Sequence, residues 1–345
     1  MELAFLIEKV AVVVILFVVT LTIAAYSTLA ERKVAAFLQD RVGPDRAGPF
    51  GIFQPLADGG KMFFKEETTP NGANKWLFIA GPSLALLTSF LGSAVIPWGQ
   101  PIEIFGRIVP LQVTDINVGI LYIFGVVSLG VYGIMIGGWA SNNKYSLMGA
   151  VRGASQNISY EIAMGLSIIA LLLVTNSLSF TTIAQQQHGW QWNILYQPLG
   201  FLIFLVCAFA ETNRVPFDLP ECETELIGGY NTEYSGFKMG AYMFSEYINM
   251  FVSSAVMATL YFGGYNYPGM DFVNELLGPT FGPLVGVAVL LGKVLAFIFF
   301  FMWVRWTVPR FRYDQLMNLG WKILIPLAIA NIVITACVIT LIDKL

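Results

Sequence analysis

Long apolar runs without charge restrict what this chain can fold into more than any other feature. Val10 to Ala30 contains no Asp, Glu, Lys or Arg and is dense in Val, Ile and Leu. A helix needs about 20 such residues to cross the hydrocarbon of a bilayer. Further runs lie at about 76–97, 116–140, 155–176, 194–210, 238–262, 283–304 and 323–342, so the chain is expected to be an all-α integral membrane protein with about eight transmembrane helices. The first run is too long for a signal-peptide core, and Glu2, Glu8 and Lys9 do not make a basic leader. An even number of spans puts both termini on the same side.

Composition agrees with this reading. Charged residues are only 12% of the 345 and apolar ones 56%. A soluble domain carries about 25% charge, and half of that cannot cover a water-facing surface. Disorder, a collagen-like fibre and a secreted disulfide scaffold are excluded. A net charge of −3 supplies no basic field for nucleic acid. The three cysteines, Cys207, Cys222 and Cys337, form no CxxC pair, and His188 is the one histidine. Structural zinc and iron–sulfur sites take about four ligands, so no metal site is expected. Neither G-x-G-x-x-G nor G-x-x-x-x-G-K-[ST] occurs, and the chain is expected to bind no nucleotide cofactor of its own.

Basic residues orient the spans. The connections after spans one, three, five and seven hold 15 of the 19 Lys and Arg, and the opposite side holds Lys9, Arg107 and Lys344. Cytoplasmic loops concentrate Lys and Arg. The termini are therefore expected outside and the first long loop inside. One polytopic membrane domain is expected over 1–345, with a long inner loop at 31–75 and an acidic inner loop at 211–237. The outer connections carry few charges, and no chemistry is read there.

The first inner loop carries seven basic residues, with Gly43-Pro44, Gly48-Pro49 and Gln54-Pro55 as turn signals. Pro55 suits the first turn of a helix. From there Ile52, Leu56 and Phe63, with Phe53 and Phe64 beside them, fall on one side, and Asp58, Lys61 and Lys65 on another. This pattern predicts an amphipathic helix in the membrane surface. It fits a basic anchor on anionic lipid and equally the floor of a pocket for an amphipathic, lipid-like ligand. Arg32, Arg41 and Asp58 would lie near the mouth of such a pocket.

The second inner loop reverses the charge. Glu211, Asp218, Glu221, Glu223, Glu225 and Glu233 surround a single cation, Arg214, and the segment sums to −5. Val215, Phe217, Leu219, Leu226 and Ile227 are interleaved with the acids, which argues against a plain solvated loop. Glu161, Glu246 and Lys293 lie inside predicted spans. Each such charge costs about 2.5–3.5 kcal/mol even on the lenient insertion scale, so it should face water, a partner or a proton path. A buried Glu–Lys pair locking helices together is one reading. The other is a chain of coupled carboxylates that hands protons along.

Several stretches resemble one family. Glu31-Arg32-Lys33, Arg41-Val42-Gly43-Pro44 and Gly51-Ile52-Phe53-Gln54-Pro55-Leu56-Ala57-Asp58 are similar to the first inner loop of the H-type membrane subunits of bacterial proton-pumping NADH–quinone oxidoreductase, respiratory complex I. Ser155-Gln156-Asn157-Ile158-Ser159-Tyr160-Glu161 agrees, as do the run from Glu211 to Glu221 and Pro309 to Met317. The likeness runs from about residue 10 to 340. It implies a subunit joining the membrane arm to the peripheral arm, forming the entrance and much of the tunnel for quinone (ubiquinone or menaquinone), and not catalytic alone. NADH, FMN and iron–sulfur clusters would sit on partner subunits. Partners would be the peripheral quinone-site subunits, small membrane-arm subunits and lipid, in a bacterial inner membrane rather than a mitochondrial one. By position, the resemblance makes Arg32, Arg41, Asp58, Phe217 and Arg305 quinone-tunnel candidates. Glu161, Glu211, Asp218, Glu221, Glu223, Glu225, Glu233 and Glu246 become proton-relay candidates, with Glu31 joining them. Were 221–225 helical, Glu223 would point away from Glu221 and Glu225. A related subunit of a membrane-bound nickel–iron hydrogenase and a stand-alone secondary transporter are the alternatives. The transporter reading is weakened because no internal repeat is visible.

Overall fold

The computed structural model describes residues 2–104, 107–221 and 226–342. Helix α1, Glu2–Leu38, continues two turns past the first apolar run and so carries Glu31 and Arg32 on its last turns. Backbone hydrogen bonding does not stop where hydropathy stops. α2, Gln54–Phe64, is the predicted amphipathic helix, with Pro55 in its first turn. Leu56, Phe63 and Phe64 stand exposed, Phe64 at 94%.

α3, Lys75–Leu91, starts at Asn74, whose side chain accepts from the N–H of Trp76 and Leu77 at 3.1 and 3.4 Å. α4 is Gly119–Ala140 and α5 Lys144–Thr175. α5 begins well before the predicted span because Asn143 caps it, accepting from Tyr145 N at 2.9 Å. It ends at Asn176 in the left-handed region. Short helices α6, Phe180–Gln186, and α7, Asn193–Tyr196, lead into α8, Pro198–Glu211. α9 is Gly236–Tyr261, and α10, Met270–Thr307, breaks at Gly278, where φ is 76°. α11, Tyr313–Asn318, passes through a π turn into α12, Ile325–Ile342. β1, Ile102–Ile104, pairs antiparallel with β2, Arg107–Val109, with Ile102 opposite Val109.

Among the described residues, six helical segments are long and apolar enough to cross a membrane: Leu6–Leu38, Lys75–Val95, Gly119–Ala140, Lys144–Thr175, Thr280–Thr307 and Tyr313–Ile342. The other two predicted spans are α8, short at 14 residues, and α9, which carries Lys238 and Glu246 among its 26. Most of α9 is buried, against α3, α1 and α10. A central helix of this kind needs no lipid-facing stripe and tolerates Ser245, Ser254 and Thr259 inside. α4 packs between α3 and α5, and α5 also meets α8 and α12.

Small residues set the closest approach. A Cβ on Gly133 would lie 2.8 Å from Ala85 N and 2.9 Å from Gly81 O, so α3 and α4 touch backbone to backbone. One on Gly137 would overlap the Tyr242 hydroxyl. These glycines bring α3, α4 and α9 together around the polar side chains described next.

Candidate functional site: a lined cavity beside a buried carboxylate cluster

At the end of the bundle carrying the basic loops, a cavity of about 300 Å³ opens between α1, α2, α9 and α10. Glu31, Arg32, Asp58, Lys61, Met62, Gly240, Tyr247 and Arg305 are among its lining residues. Arg32 Nη1 and Asp58 Oδ2 are 2.9 Å apart, and this pair ties α1 to α2. Arg305 forms an ion pair with Glu31. Three of the five tunnel candidates, Arg32, Asp58 and Arg305, are thus brought to one cavity. Arg41 stands exposed, its Nε donating to Gln39 Oε1 at 2.8 Å. Phe217 is buried elsewhere, between the rings of Tyr160 and Phe311.

Glu31 faces two ways. Its Oε2 accepts from Tyr247 OH at 2.8 Å and from Arg214 Nη1 at 3.2 Å. Arg214 Nη2 lies 3.8 Å from Glu246 Oε2, and the guanidinium sits 4.1 Å over the Tyr247 ring. Glu246 Oε1 accepts from Tyr230 OH at 3.3 Å, and Asn231 Nδ2 donates to Glu221. Glu31, Arg214, Glu246 and Glu221 therefore form one cluster bridged by phenols and an amide. The positions span α1, the acidic loop and α9, which no local spacing in the chain would join.

The acidic loop is not a solvated one. Thr212 to Pro220 are buried, because α8 stops after 14 residues and leaves the chain to turn inside the bundle. Asp218 Oδ2 accepts from Arg310 Nη2 at 2.9 Å. Glu223 and Glu225 lie outside the described residues. Glu233 stands apart, accepting from Asn143 Nδ2 at 2.7 Å.

Glu211 and Glu246 both line a polar cavity of about 40 Å³, with Asn157, Tyr230, Tyr242 and Asn249. Glu161 accepts from Ser128 Oγ of α4 and is close enough to Glu211 for their charges to act on each other. With α5 starting at Lys144, Glu161 is 17 residues into its helix, about 25 Å along the axis. That is far deeper than its place two turns inside a span beginning near Ser155. Among the described residues, Lys293 forms no lock with a glutamate. Its Nζ donates to the carbonyls of Phe262, Gly264 and Asn266 at 2.7–2.8 Å and holds the turn after α9.

Tyr230, Tyr242, Tyr247, Asn157 and Asn249 were not among the expected site residues. Their one sequence signal was adjacency: Tyr247 follows Glu246, and Asn157 lies four residues before Glu161. Among the described residues, no group of three or more His, Cys, Asp or Glu is arranged to hold a metal ion.

Burial pushes the Asp218 carboxyl up to about 7, with Glu221 adding to the rise and Arg310 opposing it. Burial likewise raises Glu221, against the pull of Arg214. A carboxyl whose folded value exceeds its unfolded one binds its proton more tightly when folded. Its contribution to stability is therefore fully present below its ordinary 3.8 and is lost as pH rises through about 7. Replacing Arg310 by Gln should move the Asp218 midpoint up by about 1 pH unit or more. Infrared titration of the carboxyl band in the intact assembly, with Asp218→Asn identifying the band, measures this. A wild-type midpoint at the ordinary carboxylate value would refute it.

A family model described as NADH dehydrogenase matches residues 10–336. The chain is 64% identical over 339 residues to the NADH-quinone oxidoreductase H subunit of Flavobacterium johnsoniae, covering 98% of this chain and 97% of that protein. It is 48% identical over 331 residues to an H subunit of the same enzyme from Geobacter metallireducens, 96% of each. Over 333 residues it is 48% identical to the H subunit from Thermomicrobium roseum, 94% of each.

Proposed function

The chain belongs to the H-subunit family of NADH-quinone oxidoreductases, and from that premise we propose that it admits quinone at the membrane and couples quinone reduction to proton translocation through a carboxylate relay. It is a membrane subunit of such a complex, so its partners include the complex's other subunits. A bacterial inner membrane is its setting. In this reading the basic end faces the cytoplasm, all eight predicted spans cross, and 1–345 is a single membrane domain. NADH, FMN and the iron–sulfur clusters are held by partner subunits, and quinone and lipid meet this chain.

One observation carries the reading. Glu31 lines the 300 Å³ cavity with Arg305, and through Arg214 it is linked to Glu246, which stands 3.8 Å from that arginine. Quinone reduction consumes protons as well as electrons, so charge in the cavity changes as the reaction proceeds. Any change at Arg305 or Glu31 reaches Arg214 and alters how strongly Glu246 holds a proton. Glu246 shares the polar cavity with Glu211, and Glu211 is electrostatically linked to Glu161. The relay in this proposal runs Glu31, Glu246, Glu211, Glu161, with Asp218 and Glu221 on its basic side. Arg41 and Phe217 stand outside the cavity lining and are proposed as neighbours of the tunnel rather than its walls.

Gly240 gives the test. It lines the cavity, and an added Cβ would meet only Met62, at an ordinary 3.7 Å. Gly240→Leu should therefore fold and fill the space. The expected result is a KM for quinone raised about tenfold, a loss of about 1.4 kcal/mol in quinone binding. NADH oxidation by a water-soluble acceptor on the peripheral arm should be unchanged. An unchanged quinone KM would remove this cavity from the quinone path.

A further inference from the structure

The seam between α1 and α10 holds another cavity, of about 360 Å³, in the half of the bundle away from the basic end. α1 lines it between Val12 and Thr20, and α10 between Leu284 and Leu291. Trp98 and Phe251, whose rings stack at 5.3 Å, and Ile102 of β1 are also in its lining. Ala24, fully buried, separates it from the cavity that holds Glu31 and Arg305, whose lining on α1 begins at Ala25.

The lining offers nothing to water. Thr20 Oγ1 donates to Leu16 O at 2.8 Å, and Trp98 Nε1 to Ser93 O at 3.4 Å, so both polar side-chain groups are engaged with backbone. A space walled by apolar atoms stays dry, and its walls lack dispersion partners until something apolar enters. Protein covers little of α1 here: 17% of its most apolar stretch is buried, and Ile15 is 63% exposed. The crevice therefore faces hydrocarbon. From Val12 to Thr20 it runs about 12 Å along the helix, close to half of a hydrocarbon core about 30 Å thick. That is the reach of one leaflet's acyl chain.

Charge at the outer end of the crevice fits a headgroup. Lys9 stands three residues before Val12, and its Nζ donates to the carbonyls of Gln112 and Val113 at 3.4 and 3.1 Å, which fixes a positive charge there. Arg107 of β2 pairs with Ile104, so the pleat puts it on the hairpin face that carries Ile102, and it is exposed. Glu103, opposite Ile108, belongs to the other face. Glu8 adds one carboxylate beside Lys9. Cations and an acid at one level match a headgroup that carries both a phosphate and an ammonium.

We propose that this crevice is a phospholipid site: it takes one acyl chain of a zwitterionic lipid from the leaflet opposite the basic end, with the phosphate at Arg107 and Lys9 and the ammonium at Glu8. The chain acts as a spacer between α1 and α10, two helices that also border the cavity at the basic end. The inference needs only that α1 faces lipid, and it stands apart from the quinone and relay readings.

The test reconstitutes the intact complex in phosphatidylcholine vesicles doped with phosphatidylethanolamine that carries a diazirine midway along one acyl chain, and maps the photoproducts by peptide mass spectrometry. Labelling at 12–20 and 284–291 is expected to saturate at a low probe fraction. The exposed Ile329 and Val333 of α12 should instead label in proportion to the probe. Ile15→Phe with Val287→Phe fills the crevice and should cut the seam labelling severalfold while α12 is unchanged. Arg107→Gln, at an exposed position, should do the same and serves should the filled variant fail to assemble. A phosphatidylglycerol probe with the same chain should label the seam severalfold less. Seam labelling that never saturates and ignores both variants would overturn the site, leaving ordinary boundary lipid. An unlabelled seam would overturn it too, since a partner subunit would then cover the crevice. Label displaced by added quinone would give the crevice to a quinone tail instead. Equal labelling by the two probes would overturn the zwitterionic headgroup.

Discussion

Replacing Arg214 by Met is expected to stop the complex from accumulating, because it leaves buried carboxylates without their cation. Arg214 is 5% exposed. It bonds Glu31, approaches Glu246 and stacks on Tyr247. Breaking a buried pair by deleting one partner costs about 3–5 kcal/mol. A protein stable by about 5–15 kcal/mol loses much of its margin in one step. Quantifying intact complex on native gels checks this. Arg214→Lys keeps the charge but loses the planar stack and the fork, so an intermediate yield is expected. Adding Glu246→Gln to Arg214→Met should recover part of the complex, since one uncompensated charge is gone. Full assembly of Arg214→Met alone would mean that Glu31 and Glu246 are carried as neutral acids and need no cation.

That arginine also marks the boundary of what the sequence can reveal. Its presence among six acids was visible, but its partners were not, because Glu31 lies 183 positions away in the chain. The helices themselves were legible, since each apolar run coincides with helix, although the run at 194–210 is divided between α7 and α8. Their ends were not. Hydropathy falls at the first charges, whereas α1 continues through Glu31 to Leu38 and α5 starts at its Asn143 cap. The shift matters for function: it puts Glu31 on a helix facing a cavity and carries Glu161 toward mid-bundle.

Burial of the acidic loop had a sequence signal, and it was the interleaving of Val215, Phe217 and Leu219 with the acids. All three are buried. Yet position in a motif does not tell which way a side chain points. Phe217 packs between Tyr160 and Phe311, and Glu233 is turned to Asn143. Lys293 was recognisable as a buried cation, but its three acceptors are backbone carbonyls after α9. No side-chain pattern encodes carbonyl acceptors, so a glutamate partner stayed open in the sequence as one of two readings.

Glu246→Gln and Glu211→Gln test the relay most directly, and both should assemble. Glutamine has nearly the shape of the carboxylate, and its amide oxygen can still accept from Tyr230 at position 246. What it loses is the ability to take up and release a proton. Quinone-linked proton pumping is expected to fall by about tenfold or more, the lower range of what a positioned proton-transfer group supplies. NADH oxidation by a soluble acceptor on the peripheral arm should remain. Glu233→Gln is the matched control, because Glu233 lines neither cavity and its carboxylate is turned to Asn143; its pumping should stay near wild type. Pumping by reconstituted complex and NADH–quinone turnover in the same vesicles give both quantities. Two glutamine variants that pump normally would leave the buried acids as structural counter-ions of Arg214, and coupling would have to pass through another subunit.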